Sequence, residues 1–139
     1  MNVENEIYNV VDENDQILGT ASRKQIHKNN LLHRSIHVLV FNSKNELFLQ
    51  KRAPSKDENP GLWDTSSAGH VDAGESYDEC AHRELWEELG LKANLKTSIK
   101  ISACQETYNE HVQVYSCITD AEININQEEI SEGAFFSLS

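Results

Sequence analysis

Apolar and polar residues alternate with a short period over much of the chain, which predicts a sheet-rich domain. Two short β-rich runs at 7–11 and 17–21 flank the polar segment DENDQ and predict a hairpin, after which Ser22 can cap a short helix reaching residue 27. Two further runs at 36–41 and 47–52 are joined by NSKNE, a polar turn of the length that hairpins use, so we expect them to pair.

The period lengthens between residues 77 and 89, where apolar positions recur with helical spacing. Ser76 and Glu79 have the form of a capping box, and Gly90 is placed to end the helix in a left-handed turn. Beyond this helix the strand-like pattern returns in three runs: 99–107, 112–118 and 134–136.

No repeat, low-complexity tract or linker divides the chain. With 38% hydrophobic and 25% charged residues, a chain of 139 residues can bury one adequate core but hardly two. We therefore expect a single domain over 1–139, with the N-terminal hairpin and short helix within 6–30 and a core over 31–136.

The chain is acidic, because 12 Lys and Arg residues against 23 Asp and Glu residues give a net charge of −11. That charge repels phosphate backbones and anionic lipid, and no basic patch offsets it, so we expect neither a nucleic-acid polymer nor a membrane as partner. No apolar run is long enough to cross a bilayer, and the first residues lack the features of a signal peptide, which predicts a cytoplasmic protein. The three cysteines form no CxxC pair, which argues against a disulfide framework or a structural zinc site.

Three glutamates share one face of the predicted helix, since Glu84, Glu87 and Glu88 stand at i, i+3 and i+4. Like charges at this spacing repel, so the face calls for a compensating cation. Hard divalent ions such as Mg²⁺ or Mn²⁺ take carboxylate oxygens and keep positions open for phosphate oxygens. Taken alone, clustered glutamates are more commonly a solvated acidic helix face.

The surrounding stretch resembles the signature of the Nudix hydrolase superfamily: Gly, five residues, Glu, seven residues, then Arg-Glu-apolar-any-Glu-Glu-any-Gly-apolar. Every position matches, at Gly69, Glu75, Arg83, Glu84, Leu85, Glu87, Glu88, Gly90 and Leu91. The resemblance implies an α/β (α+β) fold, an α/β/α sandwich with a mixed β-sheet and one catalytic loop-helix-loop. It also implies divalent-metal-dependent hydrolysis of a diphosphate bond in a nucleoside diphosphate linked to another moiety.

The resemblance implies a role for each residue of this box. In the family, the metal ions are bound by the glutamates that match Glu84, Glu87 and Glu88, one of which sometimes acts as base. The residues that match Glu75 and Arg83 pair to hold loop and helix in place. Gly69 would bring backbone close to the metal, where a Cβ could obstruct it, and its carbonyl oxygen is a further candidate ligand.

The segments LLHRSIHVLVFNSKNELFLQKR and PGLWDTSSAGHVDAGES resemble the branch that contains isopentenyl-diphosphate isomerases and their hydrolase relatives. The isomerases use a cysteine just before the Gly-His of this loop as an acid/base group, and here that position is Ala68, which cannot transfer a proton. The isomerases also depart from the full box, so hydrolysis is favoured over isomerisation. A non-catalytic nucleotide-binding or sensing module is the third alternative, although such modules usually lose box glutamates.

The isomerases also bind a metal through histidines and a later glutamate, and candidate counterparts here are His27, His33, His70 and Glu110. We expect His33 and His37 to pack at strand edges and His27 to be solvated, rather than to bind metal. His70 adjoins the box glycine and is a candidate substrate contact. Glu110 is a candidate base or contact to a metal-bound water, with an exposed turn carboxylate as the open alternative.

Few basic residues are available for substrate phosphates, namely Arg34, Lys51, Arg52 and Lys56. Lys51 and Arg52 point to opposite faces of a strand, and we predict that Arg52 contacts a distal phosphate, with Arg34 as a second substrate-binding candidate. Trp63 and Tyr108 could stack on a base or line a pocket, but aromatic residues in sheets are more often core. The expected partner is a small-molecule diphosphate, and a homodimer is left open.

Overall fold

The computed structural model describes residues 5–56 and 58–138. In chain order its elements are β1 (Ile7–Val11), β2 (Ile17–Ser22), α1 (Arg23–Asn29), β3 (His33–Phe41), β4 (Glu46–Arg52), β5 (Trp63–Asp64), β6 (Ser67–His70), α2 (Tyr77–Leu89), β7 (Lys96–Ile101), β8 (Glu110–Ile118) and β9 (Ile130–Ser137). Among these residues no helix is long and apolar enough to cross a membrane.

The N-terminal hairpin is confirmed, because β1 and β2 pair antiparallel in a sheet of their own. Ser22 caps α1 through a capping box with Gln25, and the helix ends at Asn30 in a left-handed conformation. The helix is two residues longer than the sequence pattern predicted.

A mixed seven-stranded sheet forms the body of the protein. β3 lies at its centre and runs parallel to β8 over the full length of both strands. β7 pairs antiparallel with β8, and β9 pairs antiparallel with β4. The predicted final strand at 134–136 is therefore part of a longer strand.

The predicted hairpin between the runs at 36–41 and 47–52 closes only at its tip, where Phe41 faces Leu47. Short strand β6 occupies the rest of that edge of β3, so β4 diverges and pairs with β9 instead. This correction matters for the site, because β6 carries the glycine of the glutamate box beside the central strand.

α2 has the predicted limits, with the capping box at Ser76 and Glu79 and a left-handed cap at Gly90. Its apolar face packs on one side of the sheet, where Leu85 and Leu89 are fully buried in the core cluster. The alternate residues of β3 point to the other side of the sheet, so the central strand supplies both the core and the wall of a cavity.

The predicted strand over 99–107 is wrong in its limits, since β7 ends at Ile101. A tight turn follows, in which Tyr108 and Asn109 have positive φ angles. This turn leads directly into Glu110 at the start of β8. Cys80 and Cys117 are buried, Cys104 is exposed, and all three are free.

Candidate metal and substrate site

A cavity of about 1080 Å³ lies over the face of β3 that carries Ser35, His37 and Leu39, and over the neighbouring β8. It extends past β6 to the glutamates of α2. Its lining includes acidic side chains at the α2 end, basic side chains near the end of β4, and apolar side chains from β7 and β8. Such a mixed lining in one concave site is typical of ligand-binding pockets.

Glu88 is the most firmly held carboxylate of this site and is 6% exposed. Its Oε1 accepts hydrogen bonds from Ser67 Oγ at 2.7 Å, from the Ala68 amide at 3.0 Å and from Gln50 Nε2 at 3.3 Å. Burial raises the pKa of Glu88, although these donors act in the opposite direction. The donors fix the carboxylate beside the loop that carries the box glycine.

Glu84 lies directly against Gly69. A Cβ atom at Gly69 would lie 2.6 Å from Glu84 Oε1, so only glycine lets the β6 backbone approach this carboxylate. Burial, followed by the charge of Glu88, raises the pKa of Glu84. Glu87 is the exposed member of the trio, and Arg83 Nη1 reaches both Glu84 at 2.7 Å and Glu87 at 3.2 Å.

Arg83 also holds the loop before the helix. It donates to Glu75 through Nε at 2.7 Å and Nη2 at 3.0 Å, and Nη2 reaches the His70 carbonyl at 3.3 Å. Burial alone would raise the pKa of Glu75, but the hydrogen bonds from Arg83 outweigh it and leave that pKa lowered. The structure thus pairs Glu75 with Arg83, in the arrangement that the family resemblance implies.

A second cluster brings His33, His70 and Glu110 together, with ligand atoms within 4.8 Å of one another. Glu110 Oε2 lies 2.8 Å from His70 Nε2 and 3.3 Å from His33 Nε2. Burial alone would raise the pKa of Glu110, but the two imidazoles outweigh it and hold that pKa well below its usual value.

His33 shows that this cluster suits a cation. Its Nδ1 lies 3.0 Å from the Leu31 carbonyl, which can only accept, so Nδ1 carries a proton and Nε2 is left to face Glu110. Nε2 is buried, and it makes no hydrogen bond to any described residue. A buried imidazole nitrogen without a hydrogen bond, beside a second imidazole and a carboxylate, is a donor set that fits a metal ion.

The N-terminal hairpin supports the cluster from one side. Tyr8 is fully buried, and its ring stacks on His70 at 5.0 Å and on His33 at 6.1 Å between centroids. Tyr8 could not be identified from the sequence, because nothing in its local pattern distinguishes it from a core residue.

One expectation about the histidine cluster is wrong, and one open alternative is excluded. His33 was expected to pack at a strand edge, but it lies in the cluster because the parallel register of β3 and β8 sets it opposite Glu110. Glu110 is buried, which excludes the exposed turn carboxylate. His27 stays outside the cluster and lies 3.3 Å from Glu58.

The basic candidates separate into two groups. Arg52 lines the cavity, where it donates to the Glu58 carbonyl at 2.9 Å and lies 3.5 Å from Asp64. Arg34 is outside the cavity lining, because its guanidinium is bound to Asp15 on the opposite face of β3. The alternation of the strand explains this placement, so we omit Arg34 from the substrate contacts proposed below.

Trp63 and Tyr108 are 45% and 64% exposed and line the cavity, so the expectation that they are core residues is wrong. Gln50 and Ser67, which hold Glu88, were missed as well. Ser67 stands two residues before the box glycine, which is a usable signal, whereas Gln50 reaches the site only through the path of β4.

Comparison with known proteins places these features in a family. A model of the NUDIX domain matches residues 31–139. An uncharacterised Nudix hydrolase of Pseudomonas aeruginosa is 39% identical over 126 residues, which cover 90% of this chain and 75% of that protein. An isopentenyl-diphosphate delta-isomerase of Pectobacterium atrosepticum is 34% identical over 134 residues, which cover 93% of this chain and 75% of that protein.

Among solved structures, a Deinococcus radiodurans crystal structure is similar with a TM-score of 0.85 and 28% identity. The match covers 95% of this chain and 83% of that chain. This similarity confirms the α/β/α sandwich with a mixed sheet that the sequence predicted.

Proposed function

The chain belongs to the Nudix hydrolase family, and we propose that it hydrolyses a diphosphate bond in a nucleoside diphosphate linked to another moiety, with a divalent cation such as Mg²⁺ or Mn²⁺ as cofactor. One observation supports this proposal above the others: Glu84 and Glu88 are held beside Gly69 at the wall of a substrate-sized cavity. Buried carboxylates with raised pKa values gain more from a bound cation than solvated carboxylates do.

In this proposal the cation is held by the carboxylates of Glu84, Glu87 and Glu88, with the Gly69 carbonyl as a further ligand. A divalent ion bound there supplies an activated water and positive charge for the phosphate oxygens. Arg83 and Glu75 are positioning residues, because their ion pair fixes the loop relative to α2. Small errors in such positioning cost large factors in rate.

The cluster of His33, His70 and Glu110 is proposed as a second cation site. Imidazole ligands favour a transition-metal ion over Mg²⁺ at this position. Glu110 then acts as an ionised ligand or as a contact to a bound water, consistent with its lowered pKa. His70 points its Nε2 at Glu110, so we assign it to this cluster rather than to the substrate.

The substrate would lie along the cavity with its diphosphate at the glutamates. Arg52 is the proposed contact to a distal phosphate, because it lines the cavity and is 14% exposed in its side chain. We expect a small molecule in the cytoplasm as substrate, and no polymer or membrane as partner. The oligomeric state is not part of the proposal.

An isomerase activity is the competing assignment, since one similar protein is an isopentenyl-diphosphate delta-isomerase. The cluster of His33, His70 and Glu110 favours the isomerase assignment, because the isomerases bind a metal through histidines and a glutamate. Ala68 argues against it, because the side chain at this point of the cavity lining can neither give nor take a proton. A sensing module is disfavoured because all glutamates of the box are present and buried or clustered.

One assay distinguishes the three functions. The protein is incubated with Mg²⁺ or Mn²⁺ and a panel of ADP-ribose, nucleoside di- and triphosphates, dinucleoside polyphosphates and isopentenyl diphosphate. Release of phosphate or nucleotide is the expected result. Proton exchange at carbon would identify an isomerase, and binding without turnover of any compound would identify a sensor.

A further inference from the structure

His37 is a polar side chain of the cavity lining, with apolar neighbours along β3 and β8 and polar neighbours at Asp64 and Thr65. On the same face of β3, Leu39 is the next residue towards the end of the strand, and Val114 lies opposite in β8. On the other side of the strand, His37 is paired with Ala68 of β6. Neither the glutamate box nor the histidine cluster uses this imidazole.

The ring of His37 is held in one orientation. Its Nδ1 lies 2.6 Å from Thr65 Oγ1, and Thr65 is fixed in turn by a 2.7 Å hydrogen bond from its amide to Asp64 Oδ1. The same carboxylate oxygen lies 3.9 Å from Nδ1. Within residues 5–56 and 58–138, Nδ1 is the ring nitrogen with a partner, so Nε2 remains available to a hydrogen-bonding group of a ligand.

His37 also lies next to the glutamates. The amide of its strand partner Ala68 donates to Glu88 at 3.0 Å. Facing Cα atoms on neighbouring antiparallel strands are about 5 Å apart. Since His37 and the glutamates line one cavity, a group attached to a diphosphate at the glutamates is within reach of His37.

We propose that His37 contacts the substrate and selects, through Nε2, for a hydroxyl or another hydrogen-bonding group on the moiety next to the diphosphate. This inference rests on the proposed function, because it requires a diphosphate at the glutamate site. A hydrocarbon at this point would bury Nε2 without a partner, which disfavours such substrates by about tenfold to a hundredfold. The polar contact is thus a specificity device against isoprenoid-like and deoxygenated substrates.

The test compares the common ribonucleoside diphosphates with counterparts that lack both ribose hydroxyl groups. Their kcat/KM values are measured with saturating Mn²⁺ for the wild-type protein and for the variants His37→Leu, His37→Gln and Leu18→Ala. In the wild type the hydroxylated compounds are favoured at least tenfold. His37→Leu brings the ratio close to one, mainly by raising KM for the hydroxylated compounds, and His37→Gln restores part of it. As the control, Leu18→Ala changes an exposed position outside the cavity lining and keeps the wild-type ratio.

Equal kcat/KM values for the two compound sets in the wild type, or no turnover of either set, overturn the inference. A His37→Leu variant that loses the same factor on both sets also overturns it, because that loss shows a structural role. Thr65→Val provides a second variant, since releasing Nδ1 lowers the ratio without removing the imidazole, and an unchanged ratio there counts against the inference. Turnover of other diphosphates in the wider panel would leave the proposed function standing in each case.

Discussion

Glu87 and Glu88 lie on one face of α2 but differ in exposure, and both are proposed to hold the cation. Glu87→Gln or Glu88→Gln should lower kcat by about a hundredfold or more, because the amide keeps the shape and removes the ligand charge. Without metal the melting temperature should stay nearly unchanged, since the amide oxygen can still accept from Ser67. Turnover and thermal unfolding of each variant are measured together.

Glu122→Gln is the matched control, because Glu122 is exposed and lies outside the cavity lining. It should retain wild-type turnover. Undiminished activity in both Glu87→Gln and Glu88→Gln would refute the assignment of the glutamate site.

Gly69→Ala tests the close approach of β6 to Glu84. The new Cβ would meet the Glu84 carboxylate, so this side chain must move away from the position proposed for the cation. We expect kcat/KM to fall about a hundredfold, as for other small displacements of reacting groups, with an overpacking cost of about 1–3 kcal/mol in the free energy of unfolding. Wild-type kcat/KM in a folded Gly69→Ala protein would show that Glu84 is free to move without consequence.

At the residue scale, contacts between residues that are close in the sequence could be predicted. Glu75 and Arg83 are eight residues apart, and the helix and its preceding loop suffice to bring them together. His33 and Glu110 belong to strands that are far apart in the sequence, and they meet only because β3 and β8 pair in parallel register. Histidines in strands usually serve packing, and this general tendency gave the wrong prediction for His33.

Among the secondary-structure elements, α2 was predictable because its limits are set locally by Ser76 and Gly90. The antiparallel pairing of β3 and β4 was predicted, but its restriction to the tip of the hairpin was not. A connecting turn of hairpin length does not decide how far two strands run together when β6 competes for the same edge. The two-residue strand β5 also has too short a pattern to be recognised in the sequence.

The N-terminal hairpin is anchored to the sheet and to α2 through the buried carboxylate of Asp15. This carboxylate accepts from Arg34 Nε and the Tyr77 hydroxyl, both at 2.7 Å, and from Lys100. Asp15→Asn should lower the free energy of unfolding by about 1–3 kcal/mol near neutral pH, because charge-assisted bonds are lost. Asparagine tolerates the positive φ at this position, so the turn itself is preserved.

The effect of Asp15→Asn should depend on pH with a defined sign. Burial alone would raise the pKa of Asp15, but the bonds from Lys100, Arg34 and Tyr77 outweigh it, so this pKa is lowered in the folded protein. Its stabilisation is therefore complete above the unfolded pKa of about 3.9 and is lost as the pH falls below it. Urea unfolding from pH 7 to pH 3 should show the two proteins converging, whereas Glu13→Gln in the same turn should match the wild type throughout. A difference that persists undiminished at pH 3 would exclude this role for Asp15.

The net charge of −11 sets a condition for the whole molecule, because an anionic substrate must approach an acidic protein. Divalent cations bound in the cavity would reverse the local field. A cation that binds only the folded state should raise the free energy of unfolding by about 2.7 kcal/mol at a concentration one hundred times its Kd. Thermal unfolding with increasing Mg²⁺, which the histidine cluster disfavours, measures this effect, and a combined Glu84→Gln and Glu88→Gln variant should lose most of it. An identical shift in that variant would place the ion elsewhere.

The architecture as a whole could be predicted because the full glutamate box identifies the family, and the family carries the fold. The shape and lining of the cavity could not, because they depend on strand order. Trp63 and Tyr108 illustrate this limit. Their aromatic side chains are typical of core residues, but the short β5 and the tight turn before β8 leave them exposed at the cavity.

The most direct test measures diphosphate hydrolysis before and after removal of divalent ions. Protein treated with a chelator and then dialysed is assayed on the compound panel, with Mg²⁺ or Mn²⁺ added back in steps. We predict no turnover in the metal-free protein and saturable recovery with either ion on at least one nucleoside diphosphate derivative. Turnover that persists without divalent ions, or no hydrolysis of any compound at saturating ion concentration, would contradict the account.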